Sequence, residues 1–392
     1  MQNQLYESKD ACCGCTACSS VCPVDAIRMT ADEEGFLYPC VNQDLCIDCK
    51  RCVVVCPLKS KRKDTKPFHI YAAKNKNDAV REKSSSGGVF SILAEYTESR
   101  GGAIYGAAFT EEYSVRHMRA ENRTGWEKFC GSKYVQSDLD HIFQRVREDL
   151  KNERAVLFSG TPCQIDGLKH YLAQEKVSSD HLITCDVVCH GTPSPLIWSE
   201  YLTYLRSNNR EIGSVSFRDK NRLGWHNSTL TIKDKEHRTI LSETQADNFY
   251  FQLFVCHEIL RPACHRCRYS NFCRPEDITL GDFWGIEKNF EQFDDDKGVS
   301  LVMVNSDAGE KTWTEIQNNA VFFEVSQDQC VQPNLETPSK EGIGRRRFWY
   351  WYKKYGLKRT GQSRGYLPMQ FPEKELKYVY LCKEKVLRLL GR

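Results

Sequence analysis

Several features are missing from this 392-residue sequence, and each absence excludes a class of protein. No apolar run approaches the roughly eighteen residues that cross a bilayer, which argues against a membrane-spanning helix. The first residues, MQNQLYESKDACC, lack the basic-then-apolar order of an export signal. The twenty cysteines therefore indicate a reducing compartment, and we expect the chain in the cytoplasm. The net charge of +3 is unremarkable.

Residues 12–57 contain two cysteine runs with the same spacing. Each reads Cys-x2-Cys-x2-Cys-x3-Cys-Pro, the pattern by which bacterial-type ferredoxins hold two [4Fe-4S] clusters. In that arrangement the fourth cysteine of each run binds the other cluster. The runs therefore predict one cluster on Cys12, Cys15, Cys18 and Cys56, and a second on Cys46, Cys49, Cys52 and Cys22.

A zinc site or a disulfide framework fits these two runs less well. Zinc sites use cysteine pairs separated by a longer spacer, and a disulfide framework would suit an exported domain. Cys13 duplicates the start of the first run and could compete as a ligand, but Cys12 keeps the spacing. We therefore interpret Cys13 as a bystander.

The chain is too long for a ferredoxin alone and should hold two or three domains. We expect an α+β ferredoxin-like domain over residues 1–62, followed by a charged linker. Over residues 63–335, short apolar segments alternate with amphipathic ones, which predicts an α/β domain with a parallel or mixed sheet. Residues 336–392 form a basic, aromatic and partly helical tail. Within the second domain, strands are expected at 68–74, 102–109, 155–160 and 181–189, and helices at 89–99, 139–151, 161–174 and 193–206.

Three loops of the second domain lie where a strand meets a helix, the place at which open α/β sheets bind ligands. SSSGG (84–88) offers backbone N–H groups to a phosphate, although serines also cap ordinary helices. SGTPCQ (159–164) and CHGTPS (189–194) share a Gly-Thr-Pro core, and each carries a cysteine. Together they predict a flavin or substrate pocket. Lys133, in CGSKYVQS (130–137), could meet a phosphate or a reduced flavin anion, or be an ordinary surface lysine.

A second group of cysteines has a spacing unlike that of the ferredoxin runs. Its members are Cys256, Cys264, Cys267 and Cys273. Three interpretations stay open: a third [4Fe-4S] cluster near the flavin, a four-cysteine zinc site, or a structural Cys264 and Cys267 pair with two free thiols. His257 and His265 could substitute as ligands but are expected at the surface.

The motifs also carry a family resemblance. The ferredoxin pair followed by SSSGG, GSKYVQS, SGTPCQ, VCHGTPS and DITLGDFWGI resembles the coenzyme F-420 hydrogenase/dehydrogenase beta-subunit family, which includes plant hydroxymethyl-chlorophyll reductase. The resemblance covers roughly residues 1–335. It implies an FAD-bearing α/β domain that passes electrons between iron–sulfur clusters and a substrate or carrier, without identifying that substrate as coenzyme F-420.

The resemblance also implies a set of flavin contacts. They are Ser85, Ser86, Gly87, Gly88, Lys133, Gly160, Thr161, Pro162, Cys163, His190 and Gly191. His190 and Cys163 are the candidate proton donors or substrate contacts, because a histidine titrates near neutral pH. Flavin chemistry needs little from the protein beyond placement and electrostatics, so a dedicated acid is not required. Trp284 could pack on the flavin ring or be a core tryptophan.

The tail joins three arginines, 345–347, to five aromatic residues, 348–352. It could pack back on the α/β domain, lie at an anionic membrane surface or contact a partner. With no recognised nucleic-acid-binding module, a nucleic-acid partner is not expected.

Three functions are compatible with these features. The leading hypothesis is an iron–sulfur flavoprotein oxidoreductase that uses a redox partner protein or a small-molecule electron carrier. The alternative is a non-catalytic subunit that relays electrons to a separate catalytic protein. A regulatory protein that senses oxidation would leave the flavin motifs unexplained.

Overall fold

The computed structural model of the chain describes residues 5–61, 66–206 and 211–363. In these ranges the strands are β1 (Ile27–Ala31), β2 (Leu37–Val41), β3 (His69–Asn75), β4 (Ala103–Phe109), β5 (Val115–Ala120), β6 (Val156–Gly160), β7 (Leu182–Val187), β8 (Ile212–Asp219), β9 (Thr229–Asp234), β10 (Thr239–Thr244), β11 (Ile278–Asp282), β12 (Ser300–Val304) and β13 (Ala320–Glu324). The helices are α1 (Ala17–Ser20), α2 (Arg51–Val54), α3 (Asp78–Lys83), α4 (Val89–Ser99), α5 (Arg123–Trp126), α6 (Ile142–Lys151), α7 (Pro162–Gln174), α8 (Pro195–Arg206), α9 (Phe249–Val255), α10 (Ile286–Asn289), α11 (Asp307–Ile316) and α12 (Arg345–Ser363).

The predicted alternation of strands and helices is confirmed, and β3, α4, β4, α6, β6, α7, β7 and α8 match the expected segments. Helix α7 starts as its sequence requires: Thr161 and Gln164 form a capping box, and Pro162 lies in the first turn, where a missing N–H costs least. The expected strand at 181–189 ends earlier, at Val187, because the following residues turn into a loop. The separate antiparallel sheet β10-β9-β8 was not predicted from the sequence.

The main sheet is mixed, as expected, with the order β13-β3-β12-β11-β7-β6-β4-β5. Its centre is parallel: β11 pairs with β7, β7 with β6, and β6 with β4. The outer pairs are antiparallel. The carboxyl ends of the central strands therefore meet at one edge, where α/β sheets bind ligands.

The sheet is covered on both faces. One core joins Ile92 and Leu93 of α4 to Ile104 and Val302 of the sheet. The other core joins α6 and α7 to β4 and β6, and it also takes in Ala17, Val21 and Val55 from the cysteine runs. The first domain is thus packed on the α/β body through apolar side chains, and the hydrophobic effect stabilises this contact.

The two cysteine runs fold as a structural repeat. Each forms one helical turn, α1 or α2, preceded by a residue in the left-handed region, Thr16 (φ 63°) or Lys50 (φ 60°). We name residues 12–22 the inner run and residues 46–56 the outer run. The inner run lies against α7, where a side chain on Gly167 would place its Cβ 2.8 Å from the Cys15 Sγ. Glycine at this position therefore allows the close approach of the two elements.

A buried arginine joins the inner run to the α/β body. Arg261 donates from Nε to the Cys12 carbonyl oxygen (2.8 Å), from Nη1 to Gln136 Oε1 (3.0 Å) and from Nη2 to the Leu37 carbonyl oxygen (3.0 Å). Its guanidinium carbon lies 4.2 Å from the centre of the Tyr38 ring. The side chain thus ties the cysteine loop and the β1–β2 hairpin to the loop that follows α9.

The chain divides into two compact units, Met1–Arg345 and Arg346–Arg392. In the second unit the structure describes residues 346–363, which continue α12, and Gly356 interrupts the helix with a φ of 73°. Aromatic rings stack along this helix, as between Trp351 and Tyr355 at 5.0 Å. The helical part of the predicted tail is therefore present, and the later segment KELKYVYLCKEKVLRLLGR lies outside the described residues. No described helix could span a membrane.

The buried position of Arg261 predicts a large effect on stability. Replacing it (Arg261→Met) should lower the free energy of unfolding by about 3 kcal/mol, because buried carbonyl groups would lose their donors. The matched control Arg266→Met alters an arginine whose side chain is 78% exposed, and it should change stability by less than about 0.5 kcal/mol. Anaerobic thermal denaturation of both variants measures the difference. Equal destabilisation by the two substitutions would contradict this account of Arg261.

Candidate functional site

The thiols of the two runs group as the spacing predicts. Burial raises the pKa of Cys18, and the neighbouring thiols of Cys12 and Cys56 raise it further. Burial also raises the pKa of Cys52, with contributions from Cys49 and Cys22. Mutual repulsion of this kind shows which thiols lie close together. The four predicted ligands of the first cluster are neighbours in this sense, as are Cys22, Cys49 and Cys52 of the second. A bound cluster would remove the protons by coordination.

A cavity of about 530 Å³ opens at the carboxyl ends of the central strands. Its floor includes residues that end β6, β7 and β11, such as Gly160, Val187 and Asp282. Eight of the eleven predicted flavin contacts line it: Ser85, Ser86, Gly88, Lys133, Gly160, Thr161, His190 and Gly191. The structure thus brings together loops that are separated by more than a hundred residues of sequence.

One wall of the cavity is the start of α4. Gly88 caps this helix in the left-handed region (φ 81°) without a side-chain hydrogen bond, and Gly88, Val89, Phe90 and Ser91 line the cavity. The first N–H groups of an α-helix have no partners within the helix and favour anions. This wall can therefore accept a phosphate, as the SSSGG motif predicts.

Lys133 lies on the same cavity. Its ammonium group donates to the carbonyl oxygens of Lys128 (2.8 Å) and Cys130 (2.9 Å). Burial lowers the pKa of Lys133 to about 7, against a smaller opposing effect of Cys130. The amine is thus poised to gain a proton when an anion binds nearby, because a negative charge stabilises the ammonium form.

A neutral histidine network, not predicted from the sequence, supports the cavity wall. Burial lowers the pKa of His117 to about 4, so the ring is neutral near pH 7. Its Nε2–H donates to the Ser159 carbonyl oxygen (2.9 Å), and its Nδ1 accepts from the Ser137 hydroxyl (2.9 Å). Gln164 donates to the same hydroxyl (2.9 Å). His117 lies on β5 outside any recognised motif, so the sequence did not indicate that it supports the cavity wall.

His190 is held by other side chains. Its Nε2 lies 3.0 Å from Nε2 of His257, and its Nδ1 lies 3.2 Å from the Asn334 amide nitrogen. His257 Nδ1 donates to the Lys340 carbonyl oxygen (2.7 Å), so its Nε2 accepts a hydrogen bond from the Nε2–H of His190. Burial lowers the pKa of His190 to about 4, with a further contribution from His257. Both ring nitrogens are therefore engaged, which favours a positioning role for His190 over proton donation.

Trp284 belongs to an aromatic and charged group at the mouth of the cavity. It stacks on Trp225 with ring centres 5.0 Å apart and an angle of 2°. Trp225 donates to Asp282 (2.9 Å), and the Arg218 guanidinium lies 3.3 Å from the same carboxylate. Trp284 therefore lines the cavity while its ring packs on another tryptophan. It combines features of the two alternatives raised from the sequence, a ring beside the flavin and a core tryptophan.

A second cavity of about 50 Å³ is lined by thiols of the α/β body and by Cys13. The body contributes four of them: Cys163, Cys189, Cys264 and Cys267. Burial raises the pKa of Cys189, and the thiols of Cys264, Cys163 and Cys267 raise it further. The Thr192 backbone N–H also points at the Cys264 sulfur at 3.4 Å. These four thiols therefore form a compact, buried donor set.

The structure places only part of the predicted second group of cysteines on this cavity. Cys264 and Cys267 belong to the buried set, but Cys256 is exposed at the end of α9, and Cys273 is not among the residues that line the cavity. Cys163 and Cys189 take their places because they follow the neighbouring strands β6 and β7. That register was readable: each cysteine lies shortly after a buried strand, and parallel neighbours end at the same edge.

The spacing of ligand atoms argues against a preformed zinc site. A tetrahedral zinc site with four thiolates places its sulfurs about 3.8 Å apart. Within the described ranges, the one group of three or more candidate ligand atoms within 4.8 Å of one another is His226, Glu287 and Asp294. No three of these four thiols therefore lie within that distance of one another, as a preformed zinc site would require.

Three predicted flavin contacts lie elsewhere. Gly87 packs between β3 and β12, where a Cβ would lie 2.4 Å from the Ala73 carbonyl oxygen, so its glycine is explained by close packing. Pro162 and Cys163 line the smaller cavity. The wall between the two cavities is the loop 189–193, whose residues His190, Gly191 and Thr192 border both.

Two regions of the chain match known protein families. Residues 11–60 match the 4Fe-4S dicluster domain, and residues 153–328 match the C terminus of the coenzyme F420 hydrogenase/dehydrogenase beta subunit. No curated protein matches the sequence. Among solved structures, a similar chain belongs to the xenon-derivatised F420-reducing [NiFe] hydrogenase complex from Methanosarcina barkeri. It is 15% identical, with a TM-score of 0.46, over 77% of this chain and 92% of that chain.

The dicluster domain defines the class first: the chain is an iron–sulfur electron-transfer protein. The match over residues 153–328 relates the chain to the coenzyme F420 hydrogenase/dehydrogenase beta subunit, and a 4Fe-4S domain precedes that region. The prediction of two ferredoxin-type cysteine runs and the family resemblance are therefore confirmed.

The low pKa of Lys133 predicts unusual reactivity. Because its amine loses its proton near pH 7 instead of near 10.5, it should be acylated at pH 8 roughly tenfold faster than the exposed neighbour Lys128. Peptide mass spectrometry after brief treatment with an N-hydroxysuccinimide ester measures both sites in one sample. Below pH 6 the advantage should disappear as Lys133 becomes protonated. Equal labelling of the two lysines at pH 8 would contradict the assignment.

Proposed function

We propose that this chain is an iron–sulfur flavoprotein oxidoreductase that moves electrons between its [4Fe-4S] clusters, an FAD in the large cavity and a substrate or carrier. The observation that carries the proposal is the convergence of eight predicted flavin contacts on one cavity at the carboxyl edge of the sheet. When bound there, FAD would supply the exchange between one-electron and two-electron chemistry.

The residues present fit such a cofactor. The uncapped start of α4 offers N–H groups to a phosphate, and Lys133 offers an amine whose protonated form a bound anion would stabilise. Gly191 has a φ of 125°, a conformation that a larger residue would rarely adopt. A Cβ at this position would lie 2.9 Å from Leu260 Cδ1, so glycine lets the loop between the cavities pack closely. His117 and Gln164 position another part of the cavity wall through hydrogen bonds between uncharged groups.

The same proposal assigns a third [4Fe-4S] cluster to Cys163, Cys189, Cys264 and Cys267. Their thiols are buried, mutually close and spaced beyond zinc geometry. The Thr192 N–H at 3.4 Å from Cys264 would stabilise a thiolate, as hydrogen bonds to cluster sulfurs do. This interpretation selects one of the three alternatives that the sequence left open and changes two of the ligands.

The third site would lie between the inner run and the flavin cavity. Cys13 connects the first two of these, because its thiol lies beside both Cys15 and Cys163, and both neighbours shift its pKa. On the other side, the loop 189–193 borders both cavities. Cys13 is therefore proposed as a packing element between two cluster sites, instead of the bystander that the spacing suggested.

Flavin analysis tests the central claim. Anaerobically purified protein should carry about one FAD per chain, released by acid and identified by chromatography. Lys133→Met should weaken FAD binding roughly tenfold, since the cation for the anionic cofactor is lost, whereas Lys128→Met should not. Absence of flavin from gently purified protein, with no uptake of added FAD, would overturn the proposal.

Iron analysis tests the third cluster separately. Three cubane clusters require about twelve irons per chain, and two require about eight. Cys189→Ser should remove about four irons, whereas Cys273→Ser, which alters a cysteine outside the cavity lining, should remove none. Eight irons in the unaltered protein, or stoichiometric zinc, would contradict this assignment.

A donor assay separates an enzyme from a relay subunit. A self-sufficient oxidoreductase should oxidise reduced methyl viologen with an added two-electron acceptor in the absence of other proteins. A chain that becomes reduced under these conditions but turns over only with a copurifying protein would be the relay subunit.

A further inference from the structure

The inner and outer runs have opposite surroundings. In the inner run Cys15 and Ala17 are buried against α7 and its neighbours. In the outer run Cys46 and Cys49 are exposed. One end of the dicluster domain therefore faces the body of the protein, and the other faces solvent.

The repeat makes a direct comparison possible, position by position. Leu45, Ile47, Val53 and Val54 of the outer half correspond to Ala11, Cys13, Ser19 and Ser20 of the inner half. All four outer side chains are aliphatic, large and exposed, by 50%, 61%, 37% and 70%. Polarity is thus inverted: the half that meets solvent carries the larger apolar residues, and the half beside protein carries smaller ones.

Stability of the isolated chain does not account for this inversion. Exposed aliphatic side chains gain little from folding, and the inner half shows that smaller residues are compatible with the same loop and helical turn. Apolar side chains clustered at an exposed position instead mark contact surfaces. We name these four residues, Leu45, Ile47, Val53 and Val54, the outer-run surface.

Three of the four charged residues at positions 44–51, the exception being Asp44, form ion pairs within the chain. Asp48 bonds to Lys50 at 2.5 Å, and Arg51 pairs with Glu175 of α7. Little net charge is therefore left to attract a partner over a distance. Association here would depend on apolar contact and would change little with salt.

We propose that the outer-run surface is the docking surface for a one-electron carrier protein whose own redox centre lies at an apolar edge. The inference rests on the proposed function, because it takes the dicluster domain as the port for electrons. The argument for this occupant is that Leu45 and Ile47 flank Cys46, and that Val53 and Val54 lie on the helical turn that follows Cys49. Cys46 and Cys49 are the exposed members of a predicted ligand set. The exchange is one electron, lost by the carrier and gained by the dicluster domain or the reverse, with no bond made or broken.

The repeat itself supplies the test variants. Val53→Ser combined with Val54→Ser, and separately Leu45→Ala, install the residues that the inner half already uses at these positions. Isothermal titration calorimetry of the oxidised holoprotein measures its Kd for two probes, a two-[4Fe-4S] ferredoxin and a flavodoxin. We expect the Kd of at least one probe to rise roughly tenfold in each variant, the size typical of central contact residues. The Kd of the unaltered protein should change little between low and moderate salt.

The matched control is Val321→Ser, which alters a valine that is 48% exposed on the edge strand β13. Its Kd should equal that of the unaltered protein. Iron content and the rate of reduction by methyl viologen, a donor too small to need a docking surface, should be the same in all variants. If the double variant lost iron, Leu45→Ala, outside the helical turn, would decide the question.

Two results would overturn the proposal. One is unchanged affinity for both probes in the outer-run variants, or no saturable binding of either probe. The other is a dimer of the unaltered protein, seen by sedimentation, that the double variant dissociates, because a second copy would then be the occupant. Both readouts are independent of the flavin, so they remain valid if the large cavity binds no FAD.

Discussion

The arrangement of this protein depends on a buried arginine that meets the backbone of a cysteine loop. Arg261 serves three acceptors from three different segments, and its contacts with Cys12 and Leu37 join the α/β body to the first domain. A buried guanidinium is costly unless its donors are satisfied, so the geometry of these segments is strongly constrained. The same loop continues directly into Cys264 and Cys267. One element therefore positions the inner run and half of the buried thiol set.

This constraint explains why the two cavities share a wall. Strands β6 and β7 are parallel neighbours, and Gly160 pairs with Asp186 near their ends. The residues that follow them, Cys163 and Cys189, must therefore emerge side by side. The loop after α9 then closes the set from the other side, because Arg261 holds it against the cysteine loop. Proximity of redox groups follows here from sheet register and one buried ion, without a dedicated linker between domains.

The sequence was sufficient wherever function depends on short spacing. The ferredoxin runs, the capping box of α7 and the strand–helix alternation are all encoded within a few residues, and all are present. It was insufficient for groups assembled across the fold. Cys256 and Cys273 fit a local pattern but lie outside the buried set, whereas Cys163 and Cys189 join it through strand order. His117 was missed for a related reason: a neutral buried histidine is defined by its hydrogen-bond partners, Ser159 and Ser137, which sequence spacing does not reveal.

The inner and outer cluster sites should also differ in how they tolerate added negative charge. Burial of the inner site removes water that would stabilise a reduced cluster, which by itself lowers the reduction potential. Arg261 opposes this effect, because its Nη2 lies 3.7 Å from the Cys12 sulfur and its positive charge is fixed there. The outer site is exposed, and the two cations of its own run, Lys50 and Arg51, are paired with acids. Water stabilises the negative charge of a reduced cluster at the outer site, and Arg261 does so at the inner site. Burial of the inner site therefore need not prevent reduction of its cluster.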